Sequence, residues 1–273
     1  MGECAYCAEE KKLTREHIIP NWYGVALGVG GSTFVEKAPD KLVSADPKIK
    51  DVCAQCNNVV LGALDDYGKS LYIQYFSKPV FLRQKKRFRV DQNILVRWLM
   101  KVAYNSARAN SADLHVLSNY AKDILNGEGL ENILVFCMSI APSAITSYGC
   151  QMARGDGSEE LVMPQAFRVG VYRIAESDWY KWSFRYVFID SYVFYLAIPM
   201  KDEGVIAERK SVLAAMLKSG NYGSRVVDGV ISLRAPKHHA VEIQAKHASN
   251  FPNTYGLTDD LWVDLLKKRG VWI

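Results

Sequence analysis

Two cysteine pairs with the same two-residue spacing restrict most strongly what the beginning of this chain can fold into. Cys4 and Cys7 form the first pair, and Cys53 and Cys56 form the second. A two-residue gap lets both thiolates of a pair bind one ion, and two such pairs complete a tetrahedral zinc site. The alternative interpretation is four buried thiols that share no ion. We take the pairing to predict a structural zinc ion that holds residues 1–58 together.

The composition is that of a globular chain with one or two domains. The 273 residues are 49% hydrophobic and 23% charged, which excludes disorder and a membrane protein as the expected class. We find no apolar run long enough to cross a bilayer and no signal peptide before Cys4. We therefore expect a cytoplasmic protein. Cysteines in closely spaced pairs indicate metal binding in a reducing compartment, so we expect Cys137 and Cys150 to be isolated buried thiols, with a disulfide between them as the alternative.

A carboxylate and a histidine follow each other between the two cysteine pairs. Glu16 offers a hard oxygen ligand suited to Mg²⁺ or Mn²⁺. The neighbouring His17 can accept a proton from water near neutral pH, although a hydrogen-bonded strand histidine is the alternative. Adjacent residues of a strand point to opposite faces. Both side chains therefore serve one site only if the strand ends or bulges at this point.

In this order the motifs resemble the HNH endonucleases with the zinc-stapled ββα-metal fold. The resemblance covers roughly the first quarter of the chain. One position departs from the pattern, because Lys48 stands where the family often has asparagine. The motifs that carry the resemblance are Cys4-x-x-Cys7, Glu16-His17-Ile18-Ile19-Pro20, Gly30-Gly31 and Cys53-x-x-Cys56-Asn57.

The resemblance implies a metal-dependent phosphodiesterase that acts on nucleic acid, with double-stranded DNA as the expected substrate. It implies that His17 is the general base, that Glu16 and Asn57 hold a catalytic Mg²⁺ or Mn²⁺, and that the four cysteines hold a structural Zn²⁺. Asn57 is equally compatible with a helix cap, and Asn58 is its substitute if the register differs by one residue.

Two other functions stay open at this point. One is a zinc-stapled nucleic-acid-binding protein with a decayed nuclease site, which Lys48 favours. The other is an accessory subunit whose C-terminal half binds a protein partner, and a homodimer through the same half is a related expectation.

A basic run follows the predicted nuclease module. Residues 83–89 carry five cations around one aromatic residue. Such a run is most often a solvated face, but beside a nuclease-like module it favours phosphate contact. The net charge of +5 is mild, so this argument depends on where the cations cluster. The predicted nucleic-acid-binding residues are Arg83, Lys85, Lys86, Arg87, Arg89 and Lys101.

The expected fold class is α+β in three parts. Residues 1–68 form the zinc-stapled module, 69–128 a basic helical segment, and 129–273 an α+β domain for target recognition or partner binding. His238, His239 and His247 are assigned no metal or catalytic role. The predicted elements are strands at 13–17 and 48–52 around a loop at 21–47, helices at 54–68, 93–109 and 112–125, strands at 133–140, 145–152, 167–174, 183–189 and 192–198, a turn at Asp190-Ser191, a helix at 202–217, a strand at 226–233 and a helix at 258–269.

Overall fold

The computed structural model describes the chain in several ranges. These are residues 1–27, 32–35, 38–44, 48–141, 143–146, 159–162, 167–172 and 180–237, with the backbone alone at 27, 32–35, 38–44, 143–146 and 159–162. The predicted helix at 258–269, the three histidines at 238, 239 and 247, Cys150 and Gly30-Gly31 lie outside the described residues.

The described residues form a mixed α/β structure. The strands are β1 (Gly2–Glu3), β2 (Glu10–Lys11), β3 (Leu13–His17), β4 (Ser32–Val35), β5 (Ala38–Ser44), β6 (Lys48–Cys53), β7 (Lys86–Val90), β8 (Leu134–Ser139), β9 (Ser143–Thr146), β10 (Glu159–Val162), β11 (Phe167–Val171), β12 (Trp182–Ile189), β13 (Tyr192–Pro199), β14 (Ser224–Arg225) and β15 (Gly229–Leu233). The helices are α1 (Asn21–Leu27), α2 (Gly62–Leu71) between π-helical stretches at Cys56–Leu61 and Tyr72–Phe76, α3 (Gln92–Asn110), α4 (Leu114–Leu117), a 3₁₀ turn at Ser118–Tyr120, α5 (Ala121–Asn126), α6 (Glu203–Ala207) and α7 (Arg209–Ser219).

A five-stranded antiparallel sheet forms the centre of the second half. Its strand order is β11–β12–β13–β8–β14. The central strands are buried on both faces, so alternate side chains supply two cores. One face packs into the large core that includes α3, and the other packs against Val205, Val212 and Met216 of α6 and α7. The predicted hairpin turn is confirmed, and Asp190 adopts a φ of 50° there.

The N-terminal pair of strands is also confirmed. β3 runs antiparallel to β6, with a register shift between Thr14 and Glu16. A helical run starts two residues before Cys56 and continues to Phe76. Strand, strand and helix therefore follow in the predicted order.

The helix after β6 is longer than predicted, because Gly68 does not end it. Gly68 lies inside α2 and is buried against Trp98 of α3. A Cβ atom at this position would lie 2.3–2.6 Å from three atoms of the Trp98 ring. The glycine is therefore required for close helix packing and not for a chain reversal, and residue 68 is not a structural boundary.

We expect Gly68→Ala to lower the free energy of unfolding by about 1–3 kcal/mol, because overpacking outweighs the better helix propensity of alanine. Gly62→Ala in the same helix is the matched control, since its new Cβ would meet only the Asn57 carbonyl oxygen at 3.5 Å. That control should be neutral or stabilising by up to about 1 kcal/mol. Urea denaturation of both variants measures the difference, and equal effects would contradict this account of Gly68.

The loop predicted over 21–47 is wrong in part. Its first residues form α1, and two stretches of it pair as the hairpin β4–β5. Pro39 suggested a loop, but it stands at the second residue of β5. A proline is tolerated near the start of a strand that has a partner on one side only.

Two predicted helices are interrupted. The helix predicted at 112–125 is divided into α4, a 3₁₀ turn and α5, which ends at Gly127 with a φ of 80°. The helix predicted at 202–217 is divided at Glu208 into α6 and α7. The predicted long helix α3 is confirmed as one element, and the Asp91 side chain accepts a hydrogen bond from the Ile94 amide at its start.

Buried residues from all three predicted segments belong to one hydrophobic core. That core joins Cys4 and Val52 of the N-terminal part, Trp98 of α3, and Phe194 of the central sheet. The end of the chain that carries the paired cysteines therefore packs against α3 and is not a separate unit in packing terms.

Candidate metal centre and nucleic-acid interface

Four cysteine side chains meet where β6 turns into the following helix. The sulfur atoms of Cys4, Cys7, Cys53 and Cys56 all lie within 4.8 Å of one another. Among the described residues, these four cysteines are the group of side chains that could hold a metal ion. The Sγ atoms of Cys7 and Cys53 are 3.9 Å apart, close to the ~3.8 Å edge of a tetrahedron with Zn–S bonds of about 2.3 Å.

The surroundings of the cluster favour a thiolate at one position. The backbone amide of Cys53 donates a hydrogen bond to the Cys4 sulfur at 3.3 Å. Burial acts to raise the pKa of Cys4, but the backbone amides of Cys53, Cys7 and Tyr6 outweigh it and lower that pKa to about 7. Burial and the neighbouring thiols raise the pKa of Cys56.

These features fit a structural zinc ion. Sulfur is the donor that Zn²⁺ accepts in closed four-ligand sites, and Cys4, Cys53 and Cys56 are buried. A cation at the centre would remove the repulsion that otherwise keeps neighbouring thiols protonated, so binding should release protons. The four cysteines could therefore hold a structural metal ion such as zinc.

His17 lies at the last position of β3, four residues beyond Leu13, which pairs with Cys53. The side chain is half-buried, and its cross-strand neighbour in β6 is Lys48. The strand register shifts between Thr14 and Glu16. A strand irregularity at this point was the condition under which the adjacent side chains of Glu16 and His17 could serve one site. Lys48, the residue that departs from the family pattern, thus stands directly opposite the proposed base.

Asn57 connects the helix to the same strand. Its amide nitrogen donates to the Thr14 hydroxyl at 2.8 Å and to the Arg15 carbonyl at 3.1 Å. The residue lies inside the π-helical stretch after Cys56 and not at its N-cap, so the capping alternative does not apply. Asn57 holds the irregular part of β3, and its neighbour Asn58 is exposed.

Glu16 is directed into the interior and is engaged there. Its side chain is 6% exposed, and its Oε1 atom lies 2.7 Å from the Lys101 ammonium and 2.9 Å from the Asn105 amide nitrogen. The Lys101 ammonium also lies 2.6 Å from Asp65 Oδ2. This arrangement does not fit the predicted role of Glu16 as a ligand of a catalytic divalent ion, because the carboxylate is already neutralised by a buried cation.

Lys101 is likewise not a surface residue. Its side chain is 1% exposed and lies between two carboxylates. Phosphate cannot reach an ammonium group enclosed in this way, and we therefore remove Lys101 from the predicted nucleic-acid surface.

Asn105 is a residue of the site that the sequence did not indicate. Its amide nitrogen donates to both Glu16 Oε1 and the backbone carbonyl of His17, each at 2.9 Å. Its amide oxygen accepts hydrogen bonds from the Tyr6 hydroxyl at 2.6 Å and from Arg108 at 2.6 Å. One buried side chain of α3 therefore fixes the first cysteine loop and the end of β3 together.

Arg108 completes this buried network. It pairs with Asp51 of β6, and its guanidinium lies 5.1 Å from the Tyr6 ring centre and 5.0 Å from that of Tyr104. Lys101, Asn105 and Arg108 are spaced by four and three residues, which places them on one face of α3. Polar residues at this spacing within an otherwise buried helix were the available signal for the network.

The basic run forms a strand, which was not predicted. Residues 86–90 are β7, and Phe88 and Val90 point into the core. Arg83 has a φ of 67° in the turn before the strand. The remaining predicted nucleic-acid-binding residues of the run are exposed or half-buried: Arg83, Lys85, Lys86, Arg87 and Arg89.

The chain matches no family model, no curated protein and no solved structure. Within the described residues, no helix is both long enough and apolar enough to cross a membrane.

Proposed function

We propose that this protein is an HNH-type endonuclease that hydrolyses phosphodiester bonds in double-stranded DNA. The observation that carries the proposal is the four-cysteine cluster beside a strand that ends at His17 and is held by Asn57. These residues belong to the motifs of the resemblance, and the contacts of Asn57 link the helix after Cys56 to the strand that carries His17. In this proposal the zinc ion is structural and the exposed cations of the basic run contact phosphates.

His17 acts as the general base in the proposed reaction. The imidazole accepts a proton from a water molecule as the water oxygen attacks phosphorus from the side opposite the leaving oxygen. A new phosphorus–oxygen bond forms, the bond to the leaving oxygen breaks, and the leaving oxygen takes a proton from solvent. Asn105 bonds the His17 carbonyl, which fixes the backbone that carries the base.

The resemblance also implies a catalytic Mg²⁺ or Mn²⁺. The described arrangement of Glu16 does not fit such a site. Asn57, whose amide nitrogen bonds β3, would contribute only its amide oxygen. We therefore derive no step through a second metal ion. The dependence of cleavage on Mg²⁺ and Mn²⁺ is instead one of the quantities that the assay below measures.

His17→Ala should reduce nicking of supercoiled plasmid by about 10²–10⁴-fold, which is the usual cost of losing a general base. Zinc content, thermal unfolding and DNA affinity should stay at wild-type values, because the side chain is removed from the end of a strand that other residues hold. The matched control is His115→Ala, which removes an exposed histidine that stacks on Tyr180 and should leave nicking unchanged.

Unchanged nicking by His17→Ala would exclude His17 as the base. Unfolding of that variant with nicking retained in the folded fraction would instead identify a structural histidine. Both reactions should be compared with Mg²⁺, with Mn²⁺ and without added divalent ion.

A zinc-stapled DNA-binding protein with a decayed nuclease site is the second candidate. Two contacts favour it: Glu16 is neutralised by Lys101, and Lys48 faces His17 across the strands. This candidate predicts wild-type protein that binds DNA but does not nick it with any divalent ion. Lys48→Asn is then the first variant to test for recovered nicking.

A further inference from the structure

A second strand extends the basic run into a two-stranded ribbon. β7 pairs antiparallel with β15, which matches Arg87 with Ser232 and Arg89 with Val230. Alternate residues of each strand are exposed, and these four side chains share the exposed face. Lys85 and Arg234, directly outside the paired residues, are exposed as well.

This exposed face carries cations over most of its length. Asp91 and Asp228, directly outside the paired residues at the other end, accept hydrogen bonds from the backbone amides of Ile94 and Gln92. Among the described residues, no carboxylate forms a salt bridge with Lys85, Arg87, Arg89 or Arg234. Clustered cations without salt-bridge partners attract a polyanion, because its binding offsets the repulsion between them. The sequence indicated only the β7 side of this face, because Arg234 lies far from the basic run along the chain.

The opposite face of the ribbon anchors it to the core. Phe88, Val90, Ile231 and Leu233 are buried, and the Phe88 ring centre lies 5.4 Å from that of Phe76. On the exposed face, Arg87 Nε donates to the Ser232 hydroxyl at 3.1 Å. This bond uses one of the five guanidinium donors and orients the others before any ligand binds.

We propose that the β7–β15 ribbon binds duplex DNA in the major groove. A B-form major groove is about 12 Å wide and admits a two-stranded ribbon, whereas the major groove of duplex RNA is too narrow for side chains to enter. Val230 is 49% exposed among the cations. An apolar side chain has no partner on a phosphate but can contact the methyl group of thymine.

The ribbon lies far from His17. Asn57 bonds the strand that carries His17, and Phe76 at the other end of the same helical run contacts the ribbon. The run between them rises on the order of 25 Å, equivalent to roughly seven base pairs. This inference deepens the proposed function by naming the groove that the protein contacts, and it requires no catalysis.

Binding titrations by fluorescence anisotropy test the proposal. The full chain carrying His17→Ala is titrated with one duplex DNA, the matching single strand and the matching RNA duplex at several salt concentrations. Adding Arg87→Ala and Arg89→Ala should weaken duplex binding on the order of tenfold at 0.15 M salt. It should also lower the slope of log affinity against log salt by about 1.8, because two phosphate contacts are lost.

Lys210→Ala with Lys218→Ala is the matched control, since it removes two exposed cations from α7 and should leave the slope unchanged. If the alanine form is unstable, Arg87→Gln with Arg89→Gln is used instead, because glutamine removes the charge and keeps a longer polar side chain than alanine. Thermal unfolding of each variant verifies the fold.

An unchanged slope in both ribbon variants, or an equal loss in the α7 control, would overturn the proposal. Binding of single-stranded DNA or duplex RNA as tightly as duplex DNA would overturn the groove assignment. If the wild-type protein does not nick DNA but the ribbon variants lose duplex binding as expected, the nuclease proposal fails and the ribbon proposal stands.

Discussion

Cys56→Ser is expected to release the zinc ion and to unfold the N-terminal part of the protein. The serine hydroxyl is a poor replacement for a thiolate in a closed zinc site. The free energy of binding a structural zinc ion is also folding free energy, with apparent values of about 10–16 kcal/mol in small zinc modules. Partial coordination by the other three cysteines retains some of this free energy. We therefore expect the free energy of unfolding to fall by more than about 4 kcal/mol.

The consequence should reach beyond the cysteines. Cys4 and Cys53 belong to the same hydrophobic core as α3, and Tyr6, between the first two cysteines, bonds Asn105. Loss of zinc should therefore expose β3 and β6 to protease and abolish any activity that depends on His17. Treatment of wild-type protein with a strong chelator should produce the same cleavage pattern.

Cys137→Ala provides the control for cysteine removal. Cys137 is fully buried in β8 and is outside the four-cysteine cluster. This variant should keep one equivalent of zinc by elemental analysis and its resistance to limited proteolysis. If Cys56→Ser also keeps both, the four cysteines do not hold a structural metal ion.

Lys101→Met is expected to destabilise the protein by about 3–5 kcal/mol, because it leaves the buried Glu16 carboxylate and the half-buried Asp65 carboxylate without their cation. Methionine preserves the apolar stem of the side chain, so the loss reports the ammonium and not a cavity. Lys69→Met is the matched control, since Lys69 is exposed on α2 and its replacement should stay within about 0.5 kcal/mol.

The loss in Lys101→Met should grow as the pH rises. Burial raises the pKa of Asp65, and Lys101 opposes that effect. Without Lys101 the folded-state pKa of Asp65 rises further above the unfolded value. A raised folded-state pKa makes the folded protein bind protons more tightly than the unfolded chain, so stability falls as the pH rises from the unfolded pKa through the folded one.

Urea denaturation of variant and wild type in the presence of zinc, at mildly acidic and mildly alkaline pH, measures this dependence. The free energies of unfolding of the two proteins are subtracted at each pH. This subtraction cancels the pH dependence of zinc binding, which both proteins share. A loss below about 1 kcal/mol, or a loss that shrinks at alkaline pH, would contradict a pair of carboxylates held by the buried Lys101.

The features that the sequence determined are local. The two-residue spacing of the cysteine pairs was sufficient to predict a cluster in which all four sulfur atoms meet. Helical apolar spacing was sufficient for α3, and short runs of β-branched and aromatic residues were sufficient for the strands around the Asp190 turn. Each of these patterns lies within a few residues of sequence, and the two cysteine pairs, although distant along the chain, are brought together in the prediction by the four ligands that one zinc ion needs.

Tertiary structure decided what the polar residues do. Glu16 is next to His17 in sequence, yet α3 determines that its carboxylate meets Lys101 and Asn105 in the interior. Gly68 looks like the end of a helix, but the ring of Trp98 makes it a packing position. Arg234 joins the basic run only because β15 pairs with β7. In each case the deciding partner is distant along the chain, and contact with that partner, more than residue type, determined the role.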